Sequence, residues 1–439
     1  MSWLVGYEAD MTSVDVYPIR PIAEDEFPAF YGVGDQAFNL AWTAESAISH
    51  ELAVFEFDRS LAAFDGRLLV GTACVYSFEM TVPGAAVPVA GVSSVSVLPS
   101  HRRRGILSRL MRRQLADIRE RGEAVAALFA TETGIYGRFG YGLASWHARF
   151  MIRRGEGILS GPSRHAPADP DVRLRIAEPE AARTDLAKVY DATLASRPGM
   201  IARDDRWWQS RLLDPEGWRQ GATALRCLIA EDGAGPRGYA LFSVNADWAE
   251  HHLPAGTLSV REVIAADSAA TAAIWADLLS RDLVAEVQAR IRPVDDPLLH
   301  LLADSRRART QITDALYVRL VDVGRALAQR RYACPVDAVI EVTDELCPWN
   351  QGRWRLTTSV AAQGGPGDAP GGLAAVCERT TDDPDVALDS RTLGAAYLGG
   401  TRLGALSAAG QVTELRQGAL AALSAAMSWD PAPWCPMIF

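Results

Sequence analysis

No apolar stretch in this chain of 439 residues reaches the ~18 needed to cross a bilayer as a helix, so no membrane span is expected. The opening MSWLVGYEAD carries acidic groups, no basic cluster and no small-residue cleavage site, so no signal peptide is expected and the cytoplasm is the expected compartment. Basic residues are in the minority, 44 against 54 acidic ones, which leaves a net charge of −10. Binding nucleic acid in general takes clustered cations to neutralise phosphates, so none is expected as a partner. None of the six cysteines (Cys74, Cys227, Cys334, Cys347, Cys377, Cys435) sits in a C-x-x-C pair. Reduced thiols, mostly buried, and no metal site follow from that spacing. The chain has no G-x-x-x-x-G-K-[ST] run either, which excludes a Walker-type phosphate loop.

What is present is the mix of a soluble globular protein, 49% hydrophobic and 22% charged. At roughly 100–200 residues per domain the length suits two to four domains. Three blocks emerge, at residues 14–154, 172–310 and 311–439. In the first, Glu24-Asp25-Glu26 predicts a helix start, because acidic side chains favour the first turn. Strands are predicted over 61–64 and 68–76, joined by Asp65-Gly66-Arg67, and over 89–97 and 124–130, with a helix over 103–121. Strands alternating with helices imply an α/β or α+β sheet domain. Residues 155–171 have the Gly and Pro content of a linker. The second block repeats the order: a strand over 172–176, an acidic helix start at Glu178-Pro179-Glu180, a strand over 258–264 and a helix over 268–281. Its strand-to-helix junction, Ala265-Ala266-Asp267-Ser268, has neither Gly nor Arg, so this degenerate copy is not expected to hold a pyrophosphate. The third block offers strands over 336–342, 354–360 and 373–378, a Gly/Pro turn over 364–372, and helices over 390–397, 401–408 and 415–427. The tail from Trp429 to Phe439 has three prolines and cannot be helical, yet it ends apolar where termini are usually loose and polar; it is expected to dock.

The sharpest signal is Val95-Ser96-Val97-Leu98-Pro99-Ser100-His101-Arg102-Arg103-Arg104-Gly105-Ile106-Leu107-Ser108: a strand, a basic turn, then a helix. The first helical turn leaves N–H groups unpaired and its dipole favours an anion, so the segment reads as a diphosphate cradle. Gly105 permits close backbone approach, the arginines add bidentate donors, and the strand could offer its backbone at Val95 and Val97 to an amide-bearing arm. A bare Arg-Arg-Arg-Gly would read as a solvated turn; the flanking strand and helix shift the balance. The run resembles the acetyl-CoA motif of GNAT acetyltransferases, with Arg102 and Gly105 in register and Leu107 where the motif has a small residue. A second signal, from Thr131 to Gly142, sets four glycines and three aromatics after a strand. In GNAT enzymes this position places a Tyr near the thioester sulfur. Tyr136 fits that role, while Phe139 and Tyr141 read as core aromatics.

Together with Pro297-Leu298-Leu299-His300-Leu301-Leu302 and Tyr397-Leu398-Gly399-Gly400, these segments resemble the enhanced-intracellular-survival acetyltransferases of actinobacteria over nearly the whole chain. The resemblance implies tandem GNAT-like domains followed by a sterol-carrier-protein-like α+β domain, a homohexamer, and acetylation of amines, including aminoglycosides and lysine side chains. It implies acetyl-CoA contacts at Val95, Ser96, Val97, Arg103, Arg104, Gly105, Ile106, Leu107, Ser108, Thr131 and Glu132, a general acid at Tyr136, and a general base in the α-carboxylate of Phe439. His101, the one histidine in the cofactor motifs, is expected to point outward. Two departures bear on substrate range. Members that acetylate aminoglycosides at several sites have an acidic penultimate residue where Ile438 stands, and an acid soon after the position of Phe38, which here is followed by Asn39 and Leu40. The competing reading is a non-catalytic acyl-CoA or lipid-binding protein on the same scaffold.

Overall fold

The computed structural model describes residues 16–39, 45–160, 169–359 and 372–439. The opening ten residues, Leu40, the middle of the linker and most of the 364–372 turn lie outside the described residues. The chain forms two compact units, residues 1–76 with 92–114 and residues 77–91 with 115–439.

In the first unit, β1 (Ile19–Arg20) pairs antiparallel with β2 (Ser60–Asp65), and β2 with β3 (Leu68–Val82). The turn between β2 and β3 is made by Gly66 at φ +60°. Glu24–Glu26 form only a 3-10 turn; α1 (Phe27–Phe38) follows, with Pro28 in its first turn, where a missing N–H costs nothing. It ends on Asn39 in the left-handed conformation, and α2 (Glu45–Val54) comes next. Phe27, Phe30, Phe55 and Phe57 meet in edge-to-face contacts beneath them. The end of β4 (Ala85–Val97) and the first turns of α3 (Ile106–Glu120) complete the unit. The apolar face of α3 lies on β3 so closely that a Cβ on Gly71 would stand 2.8 Å from Ile106 Cγ2.

The second unit continues with β5 (Val125–Phe129), α4 (Thr133–Tyr136), β6 (Gly142–Leu143), β7 (Trp146–Arg153), β8 (Arg173–Ala177), α5 (Arg183–Leu194) and α6 (Asp205–Leu212). Then come β9 (Arg226–Asp232), β10 (Gly235–Asn245), β11 (Thr257–Ala265), α7 (Ser268–Ser280), β12 (Glu286–Arg292), α8 (Leu298–Leu301), β13 (Gln311–Asp314) and β14 (Leu316–Leu320). Seven strands form one sheet in the order β13-β7-β12-β11-β10-β9-β8, while β14 lies between β5 and β6. Strand pairing thus crosses the block boundaries at 154 and 310: β7 is held by β12 and β13, and β14 is antiparallel to both β5 and β6. One face of the seven-stranded sheet is filled by Phe150, Phe242, Ile274, Trp275 and Leu278, the other by Leu186, Tyr190, Trp208, Tyr239 and Trp434. At the N-terminus of α7, Asp267 accepts from the Ala269 and Ala270 N–H groups at 2.9 Å each and is held by Arg237 Nε at 2.8 Å. A side-chain carboxylate therefore fills the anion position of the second copy.

The third block supplies α9 (Val323–Gln329), β15 (Asp337–Thr343), β16 (Gly352–Ser359), β17 (Ala374–Arg379), β18 (Val386–Asp389), α10 (Ser390–Ala396), α11 (Leu403–Ala408), β19 (Val412–Glu414) and α12 (Ala419–Met427). Five strands run in the order β17-β16-β15-β18-β19. Helix α10 lies on β6 and β14: a Cβ on Gly142 would meet the Arg391 carbonyl at 1.9 Å and one on Gly394 the Val318 carbonyl at 2.2 Å.

Candidate active site

The cradle segment belongs to the first unit. Ser94 takes φ +50° inside β4, a local bulge that alters the strand just before Val95, Ser96 and Val97. Thr72 stabilises it, donating to the Ser94 carbonyl at 2.7 Å and meeting Ser96 Oγ at 2.5 Å. The Ser96 side chain is thereby buried, whereas Val95 and Val97 stay half-exposed. After a 3-10 turn at Pro99–His101, Arg103 and Gly105 both take left-handed backbone, φ +62° and +79°. Among the described residues a Cβ on Gly105 would meet no atom within 4 Å, so what this position demands is the positive φ. Helix α3 then starts at Ile106, and the N–H groups of Ile106, Leu107 and Ser108 have no intrahelical acceptor. The side chain of Ile106 is buried against Gly71, so only its backbone is free for a ligand.

The three arginines are not equivalent. Arg102 donates to the Ala37 carbonyl at 3.3 Å, and Arg104 to Tyr17 Oη at 2.9 Å and the Ser100 carbonyl at 3.1 Å; both brace the turn. Among the described residues Arg103 has no hydrogen-bond or ion-pair partner and stands exposed at the turn. His101 does not point outward. It is buried, with Nδ1 2.9 Å from Ser100 Oγ and Nε2 3.1 Å from Asp65 Oδ2. The imidazole is short enough to turn back under the 3-10 turn, where Asp65 at the end of β2 offers an acceptor. Left-handed backbone, a fifteen-residue helix and one uncommitted guanidinium fit a diphosphate.

The second unit holds the other candidates. Thr131 and Glu132 are exposed between β5 and α4, and Tyr136 ends α4 with its side chain buried. Burial, aided by the nearby Glu132 charge, pushes the Tyr136 phenol up to about 12. Phe139 and Tyr141 are core: Tyr141 is wholly buried and its hydroxyl has no partner among the described residues. The parallel pairing of β4 with β5 runs from Val89↔Val125 to Gly91↔Ala127. On these strands lies the ring of Phe439, edge-on to Phe78 of β3 (centroids 4.8 Å) and to Phe129 of β5 (5.3 Å). A Cβ on Gly91 would come within 3.1 Å of it. Phe78 in turn touches Trp207 of α6 at 5.0 Å. Behind the terminus, buried His147 of β7 has Nε2 2.9 Å from the Cys435 carbonyl, and desolvation pushes its pKa down. Thus the tail does dock. Sequence reasoning missed Phe78, Phe129, His147 and Trp207, which are single residues of strands or a short helix with no local motif around them.

Three segments of the chain match families of known proteins. Residues 18–144 and residues 199–320 each match a family described as an acetyltransferase (GNAT) domain, and residues 323–436 match a sterol carrier protein domain. An uncharacterized N-acetyltransferase of Streptomyces avermitilis is 45% identical over 421 residues, covering 95% of this chain and 98% of that one. The N-acetyltransferase Eis of Mycobacterium tuberculosis is 31% identical over 429 residues, 93% of this chain and 96% of its own. The chain belongs to the Eis family of N-acetyltransferases. The structure of Eis1 from Mycobacterium abscessus superposes with a TM-score of 0.77 at 32% identity, over 96% of this chain and all of that one. A GCN5-related N-acetyltransferase from Anabaena variabilis, 17% identical, shares the fold with a TM-score of 0.80 over 96% of this chain and 100% of its own. As an Eis-family acetyltransferase with GNAT domains, the enzyme draws its acetyl group from acetyl-CoA. No helix among the described residues is long and apolar enough to cross a membrane.

Proposed function

We propose that this enzyme acetylates primary amines (aminoglycosides, polyamines or lysine side chains) by direct attack, with Tyr136 as general acid and the α-carboxylate of Phe439 as general base. Acetyl-CoA supplies the thioester carbonyl that the amine attacks. Arg103, the braced Arg104 and the free N–H groups at Gly105, Ile106, Leu107 and Ser108 hold its diphosphate; Val95, Ser96 and Val97, with Thr131 and Glu132, hold the rest. The amine arrives mostly protonated and has to shed a proton as the C–N bond forms. A free α-carboxylate has an ordinary pKa of about 3.3–3.7, low for a base, but it orients an ammonium well and passes its proton through water. Tyr136 keeps its proton at neutral pH and gives it to sulfur as the C–S bond breaks. Exposed Ile438, 57% accessible, supplies no acid beside the terminus to attract polycations. Our reading also includes assembly as a homohexamer in the cytoplasm.

The observation that supports this reading is the docked terminus: the ring of Phe439 is packed edge-on against Phe78 and Phe129. Extending the chain beyond Phe439 with a histidine tag should abolish amine acetylation while cofactor binding and thermal melting stay normal. The same tag at the N-terminus should be harmless. Full activity in a protein shown by mass spectrometry to retain its C-terminal tag would return the search to side-chain bases.

A further inference from the structure

The second GNAT-like copy carries a carboxylate, Asp267, where a cradle would bind an anion, and its fold has another use in this chain. The segments that surround its sheet supply it. Asp295 Oδ2 accepts from the Ala432 N–H at 2.9 Å, and Arg197 Nη1 donates to the Ala432 carbonyl at 2.6 Å. The two side chains are themselves paired at 2.5 Å, so both polar groups of one tail residue are held in a closed ring. The acid is braced from behind. Neighbouring Asp296 is fully buried, binds Arg292 Nε at 2.7 Å and accepts from the Leu298 N–H at 2.8 Å. Arg292 then lies over the Trp434 ring, 5.3 Å from its centroid.

The basic partner is registered against the site. Residues 199–202, just after Arg197, bond to the end of β3: Gly199 N–H to the Thr81 carbonyl at 2.7 Å, Thr81 N–H to the Met200 carbonyl at 2.8 Å, and Ala202 N–H to the Glu79 carbonyl at 2.9 Å. Pro198 accepts from the Trp434 N–H at 2.8 Å. One short segment therefore grips both the tail and the strand that carries Phe78, against which Phe439 rests.

We infer that Arg197 and Asp295 are positioning residues for the reaction: they fix Ala432 and with it the placement of the Phe439 carboxylate. This rests on the proposed role of that carboxylate. The eight residues from Ala432 to Phe439 are short enough for a shift at the clamp to reach the terminus, and a misplacement of ~1 Å at a reacting group costs about 10²-fold in rate. The test uses the full-length enzyme with Arg197→Ala, Asp295→Ala and Asp295→Asn, the last keeping an acceptor for the Ala432 N–H. Amide exchange is read at Ala432, Trp434 and Cys435 and at Gly199, and kcat and KM are measured with a polyamine. The expected result is faster exchange at the tail amides with Gly199 still protected, kcat reduced at least tenfold in both alanine variants, an intermediate loss in Asp295→Asn, and an unchanged affinity for CoA. Unaltered exchange at the tail amides would overturn the clamp itself. Faster exchange with an undiminished kcat would overturn the positioning role, while the role of the terminal carboxylate itself is decided separately by the tagged enzyme.

Discussion

Tyr136 shows how burial sets a proton's availability. Its anion has little solvation, so the phenol is pushed up to about 12 and stays protonated well past neutrality. No loss of kcat on the alkaline side should trace to this residue by pH ~10, where an ordinary tyrosine is half ionised. Tyr136→Phe should keep CoA affinity and lower kcat by ~10²–10⁴. A near-normal kcat in that variant would reduce Tyr136 to packing. The arginines divide differently from their sequence order. Since Arg102 and Arg104 spend their guanidinium groups on the turn, Arg103→Ala should weaken CoA and acetyl-CoA alike, by at least about tenfold for one charge-assisted contact of ~1.5–3 kcal/mol. Calorimetry with free CoA checks this, and an unchanged dissociation constant would place the diphosphate elsewhere. Sequence alone revealed three adjacent cations; which one is uncommitted depends on Tyr17 and Ala37, far away in the chain.

At the scale of elements, α3 was legible because its apolar positions recur at helical spacing after a turn rich in Arg and Gly. Its seat was not, since Gly71 lies in a strand where glycine reads only as a weak residue. That glycine is what lets the helix approach the sheet. Gly71→Val should force Ile106 and Leu110 outward and destabilise the protein by ~1–3 kcal/mol, measured by urea denaturation, with weaker CoA binding as α3 shifts. The acidic starts at Glu24 and Glu178 mark their helices unequally: Glu24–Glu26 form the 3-10 turn that leads directly into α1 at Phe27, whereas Glu178 stands several residues before α5 begins at Arg183. Charge marks the neighbourhood of a helix N-terminus, and hydrogen bonding decides the residue. The tail was readable for a different reason. Three prolines and an apolar end contradict the usual loose terminus, and Trp434 and Phe439 are both packed as that contradiction implies.

Over the whole molecule, the order of three blocks was visible in repeated strand–helix patterns, but the partner of each strand was not. Periodicity reports which face of a strand is buried and says nothing about which sheet it joins. Acid stability is a property at this scale too, since the wall behind the tail contains a buried ion pair, Arg203 with Glu262 at 2.7 Å. Burial works against the Glu262 charge, but Arg203 and Arg211, with hydrogen bonds from Arg203 and Tyr239, outweigh it and hold the carboxyl at about 2. A depressed folded value against an unfolded value of about 4.3 means this contribution is complete above pH ~4.3 and fades as pH falls toward the folded value. Urea midpoints should therefore drop through that acid window. Glu262→Gln should flatten this part of the dependence while losing ~3–5 kcal/mol at neutral pH, because Arg203 would be left buried without its counter-charge. A wild-type slope unchanged in the variant would assign the acid lability to other carboxylates.

The exchange of β7 and β14 also sets a timetable for synthesis. When the ribosome has delivered residue 154, the strand β5 still lacks β14, its neighbour on one side, and β7 has emerged with neither β12 nor β13 to join. The nascent chain must keep both edges from pairing wrongly until residue 320 is out, so two sheets close almost together rather than one after the other. What looks in the sequence like two domains made in succession is, for the folding chain, a single event that waits on a five-residue strand.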